Sequence, residues 1–348
     1  MIPEDTFTLG LETTCDETGA AVVAGGTRVL SSVVWSQVAL HERFGGVVPE
    51  IAARVHLECL NKIVALAMTD AGISPARLSA VAVANSPGLI GCLLVGVSAA
   101  KGYAFAWERP LECVNHIHAH LYAAALSPAN GPLRQLPELP AVGLIISGGH
   151  TTLYHMEDFT NLRRLGSTID DAVGEAFDKV ATILQLGYPG GPRLEALARS
   201  GNRDAIRFPV SLLAKDSLDF SFSGLKTAVR YFVNGRQGNQ RTAADLTDPQ
   251  KADVAASFQY AVAEALCAKL RRALETSSAK SIIVGGGVAA NSYIRERLYE
   301  VARTAGLPLY LPAMNFCTDN AAMIAGLGSR LHSQGITSPL SVGVVATA

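Results

Sequence analysis

Short apolar runs alternate with turn-forming residues over the first 126 positions, and this pattern predicts a definite order of strands and helices. Three strands come first, followed by a long helix, a strand, a buried helix, a short strand and a final helix. In that order the expected elements are Thr6–Thr13, Gly19–Ala24, Arg28–Trp35, Pro49–Ala71, Ala80–Ala84, Leu89–Trp107, Leu111–Val114 and a helical stretch that opens at His116.

The same order of elements begins again after a proline-rich link over residues 127–140. The expected strands and helix are Val142–Ser147, Thr151–Met156, Leu162–Thr168, the helix Asp171–Leu186, Ser281–Val284 and Leu307–Leu311. Extra helical material over residues 189–277 is interpreted as an insertion. Two β-β-β-α-β-α units in tandem predict an α/β fold with two mixed-sheet lobes around a central cleft. This plan resembles the actin, Hsp70 and sugar-kinase (ASKHA) superfamily.

The length of 348 residues also favours two domains, because a single core rarely grows that large. We expect residues 1–126 to form the first lobe, completed by a C-terminal helix within residues 320–348. Residues 127–319 would then form the second lobe.

Composition excludes several classes of protein. With 49% apolar and 17% charged residues the chain is not intrinsically disordered, and a net charge of -1 gives no basic excess of the kind typical of nucleic-acid binding. The six cysteines form no C-x-x-C pair, which argues against a zinc ribbon. The apolar stretch Leu89–Trp107 contains Lys101 and several glycines, which favours a buried helix over a membrane span. No targeting segment is expected, and we predict a cytoplasmic protein.

Three histidines fall within five residues, at positions 116, 118 and 120. Residues four apart lie on one face of a helix, so His116 and His120 can reach one cation while His118 points away. Asp319 is the best candidate for a third ligand, since open metal sites often combine histidine with a carboxylate. An isolated pair of this spacing would also fit a polar helix face.

Turns at equivalent places in the two repeats are candidate anion sites, because backbone amides can approach an anion there, most freely where a glycine lacks the Cβ. These turns are Glu12–Thr18 and Ser147–Thr151. Two further segments, Gly187–Pro192 followed by Glu195 and Gly285–Asn291, also fit a nucleotide, with Glu195 as a candidate ribose ligand. A structural turn followed by a solvated glutamate remains an alternative for the first of them.

An acidic segment precedes and enters the helix expected from Asp171. Asp171, Glu175 and Asp178 would share one face of that helix. We interpret Asp171 as a helix cap, because acidic residues stabilise a helix N-terminus, and Asp178 as the more promising ligand contact.

Seven collinear motifs resemble the tRNA N6-adenosine threonylcarbamoyltransferase family over residues 8–332. They are Leu9–Thr18, the His116/His120 pair, Ile145–Thr151, Gly174–Lys179, Phe220–Lys226, Gly286–Asn291 and Cys317–Asn320. The resemblance implies an acyltransferase that moves the threonylcarbamoyl group from threonylcarbamoyl-adenylate to N6 of adenine 37. The acceptors would be tRNAs that read codons beginning with A.

The resemblance also implies the site residues. His116, His120 and Asp319 would hold one divalent metal per subunit, iron or zinc. The adenylate would be held by Ile145, Ile146, Ser147, Gly148, Gly149, Asp178, Gly191, Glu195 and Asn291. The sequence departs from many relatives at His118, and the position of Glu195 varies among them, so the roles of these two side chains stay open.

The donor is an activated anhydride, so the amine can attack it directly without a protein nucleophile. A base must remove a proton from the amine, and Glu12 and Asp16 on the first hairpin turn are the candidates, with Glu12 preferred. The family further implies tRNA, a TsaB-type paralogue and a TsaE-type ATPase as partners. Candidate contacts for tRNA phosphates are Arg193, Arg199, Arg203 and Arg207.

Other interpretations of the same residues stay open at this point. A related carbamoyltransferase would act on a small-molecule acceptor, and a regulatory paralogue would be non-catalytic and would not need the metal ligands. A metalloprotease is disfavoured, because the chain lacks the H-E-x-x-H glutamate that activates water.

Overall fold

The computed structural model of the chain describes residues 2–211, 216–235 and 241–347. These residues form two compact units, of which unit 1 comprises Met1–Pro137 and Leu311–Ala348 and unit 2 comprises Glu138–Tyr310. Residues 212–215 and 236–240 of the predicted insertion lie outside the described part of the chain.

Unit 1 is built around one mixed sheet. Its strands are β1 Phe7–Glu12, β2 Glu17–Ala24, β3 Arg28–Ser36, β4 Leu78–Ser86, β5 Leu111–Asn115 and β6 Ser127–Pro128. Its helices are α1 Val38–Glu42, α2 Pro49–Ala71, α3 Ile90–Ala106, α4 His116–Tyr122 and, from the C-terminal segment, α10 Ala321–Ser333, with short 3-10 turns at Pro75–Arg77, Ala123–Ala125 and Met314–Phe316.

Unit 2 contains a second mixed sheet and the helices of the insertion. The strands are β7 Ala141–Ile146, β8 Thr151–Met156, β9 Leu162–Ser167, β10 Ser281–Gly285 and β11 Leu309–Tyr310. The helices are α5 Val173–Ile183, α6 Gly190–Ala198, α7 Ser223–Asn234, α8 Asp248–Glu275 and α9 Ser292–Ala305, with 3-10 turns at Ala243–Asp245 and Gly287–Ala290.

The two sheets share one topology. The strand order is β5-β4-β1-β2-β3-β6 in unit 1 and β11-β10-β7-β8-β9 in unit 2. In both, the first three strands form an antiparallel meander and two later strands add in parallel on the side of the first strand, while in unit 1 the short β6 also pairs in parallel with β3. The predicted α/β fold with duplicated units is therefore confirmed.

The unit boundaries differ from the predicted ones at residues 126 and 319. Residues 127–137 belong to unit 1, because Ser127 and Pro128 pair with Arg28 and Val29 at the far edge of its sheet. The chain also returns to unit 1 earlier than predicted, at Leu311. Pairing between strands far apart in sequence sets both limits, and a local pattern does not reveal it.

The sheet of unit 1 is covered on both faces. The core on one side combines alternating strand residues such as Leu9 and Leu11 with Leu60 and Val64 of α2 and Val97 of α3. On the other side α10 approaches β1 so closely that a Cβ on Gly10 would overlap the backbone of Ala321. No helix among the described residues is long and apolar enough to cross a membrane.

The helix predicted from Asp171 begins later, at Val173, and Asp171 does not cap it. Its carboxylate lies instead 2.7 Å from Nζ of Lys179 and 2.8 Å from Nζ of Lys226. Two ammonium groups attract the carboxylate more strongly than backbone amides do, which explains the error. Glu175 fulfils the capping role by accepting a hydrogen bond from the amide of Ala172 at 3.3 Å.

Candidate active site

The histidine helix α4 starts at the end of β5, and Asn115 fixes its first turn. The side chain of Asn115 accepts hydrogen bonds from the amides of Ile117 at 2.9 Å and His118 at 3.1 Å. This is the usual way in which an N-cap satisfies amides that have no partner in the helix. His116 and His120 are consequently presented one turn apart, and both are buried.

Asp319 lies beside this pair, just before Asn320 caps the start of α10. Its Oδ1 is 3.5 Å from Nε2 of His116 and 3.2 Å from Nε2 of His120. One ligand atom from each of the three residues lies within 4.8 Å of the others. The structure thus brings together the three residues predicted as metal ligands.

Glu12, at the end of β1, contacts Nδ1 of His116, the ring nitrogen that does not face Asp319. Nδ1 of His116 donates a hydrogen bond to Oε2 of Glu12 at 2.8 Å, and the amide of Thr14 donates to Oε1 at 2.7 Å. The side chain of Glu12 is 0% exposed. A carboxylate bound to Nδ1 fixes the tautomer and leaves Nε2 as the ligand atom, as is common behind metal-bound histidines.

Opposite charges dominate the electrostatics of this cluster. Burial alone lowers the pKa of His116, but the carboxylates of Glu12 and Asp319 raise that pKa well above its usual value. Burial alone raises the pKa of Asp319, but the imidazoles of His116 and His120 hold it well below its usual range.

The residues fit a divalent metal. Both ring nitrogens of His120 are buried and have no hydrogen bond among the described residues. Nε2 is within ion-pair distance of Asp319 without meeting hydrogen-bond geometry. Buried polar atoms are normally satisfied, so a nitrogen left this way beside a carboxylate fits a cation. Two imidazoles and one carboxylate suit zinc or iron.

Asp16 and Glu17 form an acidic pair on the same hairpin turn. The Glu17 carboxyl group is hydrogen-bonded to Asp16, and burial together with the charges of Asp319 and Asp16 raises the pKa of Glu17 to about 9. Glu17 is therefore protonated at neutral pH and can donate to Asp16. Asp16, unlike Glu12, has no bond to a metal-site histidine.

In unit 2, five of the predicted adenylate residues, 145–149, lie at the carboxyl end of β7, beside the parallel strand β10. Ile145 and Ile146 are buried in β7, which leads directly into the turn at Ser147, and Gly285 of β10 pairs with Ile145. Ligands of open α/β sheets bind at such carboxyl ends. A Cβ at Gly148 or at Gly149 would meet no atom within 4 Å, so this side of the turn is open.

Two neighbouring elements hold the turn in place. The amides of Gly174 and Glu175, in the first turn of α5, donate to the carbonyls of Ser147 and Gly148, each at 3.1 Å. Gly286, at φ 97°, passes so near the end of β7 that a Cβ would lie 2.5 Å from the carbonyl oxygen of Ile146. Only glycine adopts this conformation at this distance without strain.

Asp178 and Gly191, both predicted to bind the adenylate, contact each other. Oδ1 of Asp178 accepts hydrogen bonds from the amides of Gly190 at 2.9 Å and Gly191 at 3.2 Å. Burial raises the pKa of Asp178, although these two amides partly offset the effect. The contact fixes the start of α6 beside α5.

Glu195 and Asn291 both act on the start of α9. Oε1 of Glu195 accepts from the amide and hydroxyl of Ser292 at 3.0 and 2.6 Å. Oδ1 of Asn291 accepts from the amide of Ile294 at 2.9 Å, and its Nδ2 donates to Gln259 at 2.8 Å. Both side chains therefore have structural partners as well as their predicted ligand roles.

A cavity of about 430 Å³ lies beside these residues, within unit 2. Its lining combines residues of α6, α8 and α9, among them Glu195, Arg199, Gln259, Ser292, Tyr293 and Glu296. The volume is within the range of small-molecule sites.

Three of the four arginines predicted to contact tRNA phosphates have partners within the fold. Arg193 donates to the carbonyl of Leu186 at 2.9 Å, and Arg199 is 3.4 Å from Glu195. Arg203 lies over the ring of Tyr260 and donates to the hydroxyl of Tyr293 at 3.2 Å. A phosphate role for these residues and for Arg207 stays a prediction.

Sequence reasoning missed two features of the site. It proposed Glu12 as a base and did not anticipate its hydrogen bond to His116, since nothing local links positions 12 and 116. It also did not single out Glu17, although two consecutive acidic residues in a turn, Asp16 and Glu17, could have indicated an interacting pair of carboxyl groups.

Comparisons with known proteins identify relatives along nearly the whole chain. The family model described as tRNA N6-adenosine threonylcarbamoyltransferase matches residues 28–326. A protein of that name from Moorella thermoacetica is 49% identical over 342 residues, covering 98% of this chain and 96% of that protein. One from Symbiobacterium thermophilum is 48% identical over 337 residues, covering 97% and 95%.

Solved structures of lower identity share the fold. The crystal structure of T. kodakarensis HypF aligns with a TM-score of 0.62 at 15% identity, covering 96% of this chain and 48% of that one. Component A of the Acidaminococcus fermentans (R)-2-hydroxyglutaryl-CoA dehydratase aligns with a TM-score of 0.53 at 14% identity, covering 94% and 99%. These likenesses show that the chain shares the fold of both proteins. Because the chain is 48–49% identical to two such transferases over nearly its whole length, it belongs to the tRNA N6-adenosine threonylcarbamoyltransferase family.

Proposed function

We propose that this enzyme transfers the threonylcarbamoyl group from threonylcarbamoyl-adenylate to N6 of adenine 37, in tRNAs that read codons beginning with A, through the residues described above. The observation that supports these roles most is the set of the buried His116 and His120 with the partly exposed Asp319, together with Glu12, which is hydrogen-bonded to His116. A regulatory paralogue would not need this complete set of ligands.

His116, His120 and Asp319 would hold one divalent ion, Fe²⁺ or Zn²⁺, through Nε2 of each histidine and the aspartate carboxylate. Three protein ligands leave coordination positions for a substrate, as in catalytic sites. When bound, the ion would supply Lewis acidity toward oxygens of the donor. Glu12 orients His116 and keeps its Nδ1 protonated, so Glu12 is a positioning residue in this proposal.

The adenylate would be held by unit 2. Amides of the turn Ser147–Gly149 would face its phosphate, which glycines allow because no Cβ blocks the approach. Ile145 and Ile146 support that turn, while Asp178 and Gly191 fix the start of α6. The adenosine would occupy the 430 Å³ cavity, with Glu195 at the ribose, and Asn291 would act through its hydrogen bond to the lining residue Gln259.

In the transfer step, N6 of adenine forms a bond to the carbonyl carbon of the donor. The bond from that carbon to the phosphate oxygen breaks, AMP leaves, and one N6 proton passes to a base. We favour Asp16 as this base over Glu12. Both oxygens of Glu12 already accept hydrogen bonds, and its side chain is fully buried.

A TsaB-type paralogue and a TsaE-type ATPase are the partners that family membership leads us to propose. Helices α2 and α3 carry exposed apolar side chains, among them Leu57 at 70% and Phe105 at 76% exposure, with Leu66, Ile90 and Leu94. Such a surface is typical of a protein interface, and we assign it to the paralogue.

The first prediction concerns the metal. His120→Ala removes one ligand of three, so the purified variant should lose its bound metal while its circular dichroism spectrum stays unchanged. His118→Ala is the matched control on the same helix and should keep the metal. Elemental analysis measures both, and full occupancy in His120→Ala would contradict the assignment.

The second prediction separates the roles of the two carboxylates. Glu12→Gln weakens the acceptor behind His116, so metal affinity should fall by about 10- to 100-fold in a chelator competition. Asp16→Asn should keep its metal, while single-turnover transfer slows by about 100- to 10,000-fold because the proton acceptor is lost. Unchanged turnover in Asp16→Asn would reject it as the base.

The third prediction concerns the adenylate. Gly149→Val places a branched side chain where the phosphate would lie, and the open space around Gly149 lets the fold tolerate it. Calorimetry should show that AMP binding is lost. Gly224→Val, at a similarly open glycine in α7, should bind AMP normally. Unaltered AMP affinity in Gly149→Val would move the pocket elsewhere.

The fourth prediction concerns the acceptor. With threonylcarbamoyl-adenylate and its partners, the enzyme should modify adenine 37 of an unmodified tRNA with an ANN-reading anticodon, because the single-stranded loop exposes N6. Mass spectrometry of the nucleosides detects the product. Efficient transfer to a small amine or sugar, with none to tRNA, would favour a small-molecule carbamoyltransferase.

A further inference from the structure

The end of β3 carries large exposed side chains at the outer edge of the sheet. Strand β6 pairs with β3 only at Arg28 and Val29, so no described strand covers the outer side of residues 33–36. There, Val34 is 43% exposed and Trp35 is 57% exposed. An exposed tryptophan on an uncovered strand is unusual unless something binds it.

The segment after β3 adds a second ring and a cation. Phe44 is 50% exposed, and the guanidinium of Arg43 lies 4.7 Å from the centroid of its ring. We call Trp35, Arg43 and Phe44 the aromatic edge.

Buried residues anchor the segment that carries this edge. Gln37 donates to the carbonyl of Ala52 at 3.3 Å, and its Oε1 lies 3.2 Å from Nε2 of His41. Nδ1 of His41 accepts from the amide of Val48 at 3.3 Å. Gln37 and His41 are both buried, so the backbone that carries Arg43 and Phe44 is held at both ends.

The aromatic edge is continuous with the turn that carries Asp16. Trp35 pairs with Thr18, and the amide of Gln37 donates to the carbonyl of Asp16 at 3.0 Å. The hydroxyl of Ser36 donates to Oε1 of Glu17 at 3.1 Å. A ligand that stacks on Trp35 would therefore lie beside β2, the strand that directly follows Asp16, the proposed proton acceptor.

Exposed aromatic rings together with a guanidinium fit nucleotides of a single strand. Unpaired bases stack on aromatic side chains, and arginine adds a cation for the phosphates. The acceptor of the reaction is itself a base in an unpaired loop, and it must reach this turn to react. A purely apolar protein partner would leave the charge of Arg43 unmatched.

We propose that the aromatic edge binds the anticodon-loop nucleotides that flank the acceptor adenine, with Trp35 stacking on one of them. This inference rests on the proposed function. It assigns an RNA contact to the first unit, whereas the arginines predicted from the sequence belong to the second.

The test uses the fluorescence of Trp35. The chain has two tryptophans, so Trp107→Phe leaves Trp35 as the reporter. Titration with an unmodified anticodon stem-loop should quench its emission, since a stacked base is a quencher. Absence of quenching at saturating RNA would overturn the proposal.

Affinity for the same RNA gives the second measurement. Trp35→Ala should weaken binding by about 5- to 150-fold, the range expected for one lost stack, and Trp35→Phe should restore most of it. Arg43→Ala should lower the salt dependence of binding by about one charge, whereas Trp35→Ala should leave it unchanged. Tyr299→Ala, at an exposed aromatic residue of α9, is the matched control and should bind normally.

The outcomes separate this proposal from the proposed function. If the wild-type enzyme modifies tRNA but Trp35→Ala binds and modifies it equally well, the aromatic edge is not the RNA surface, while the transferase function stands. If Trp35→Ala instead loses only the paralogue in a pull-down, the edge is a protein interface. If the wild type modifies no tRNA, the proposed function itself fails.

Discussion

The buried carboxylate of Glu12 is the constraint on which the site of unit 1 depends. An unpaired carboxylate with no exposure would cost several kcal/mol, so its two donors are obligatory partners. One donor, the amide of Thr14, shapes the hairpin turn, and the other, Nδ1 of His116, orients the first residue of α4. The same contact therefore fixes the turn that carries Asp16, the tautomer of His116 and the direction of its free nitrogen.

Duplication of one topology explains why two different sites arise in one chain. In each unit the strand that opens the meander ends in a turn at the carboxyl edge of the sheet, beside the parallel strand that joins it. The first turn carries acidic residues, one of which, Glu12, supports a histidine. The second carries glycines, which leave backbone amides open to an anion. Turns at equivalent positions in the two units therefore differ in electrostatic character, because one carries carboxylates and the other exposes backbone amides at glycines.

Sequence reasoning worked where the signal was local or periodic. The spacing of His116 and His120 and the turn before α10 sufficed to predict which residues meet, and α2 spans the predicted residues. It failed where distant side chains compete. Asp171 was misread as a cap because Lys226, far along the chain, attracts its carboxylate. The exposure of Trp35 was invisible as well, since alternation does not tell whether another strand will cover an edge.

The geometry also changes which carboxylate is suited to accept a proton. Protonating Glu12 would require breaking or weakening two charge-assisted hydrogen bonds, each contributing about 1.5–3 kcal/mol. Asp16 makes no hydrogen bond to His116 among the described residues, and Glu17, whose pKa is raised by burial and by the charges of Asp319 and Asp16, lies beside it as a hydrogen-bond donor. Burial separates the two roles. The fully buried Glu12 fixes the orientation of His116, and we propose Asp16, on the same turn, as the proton acceptor.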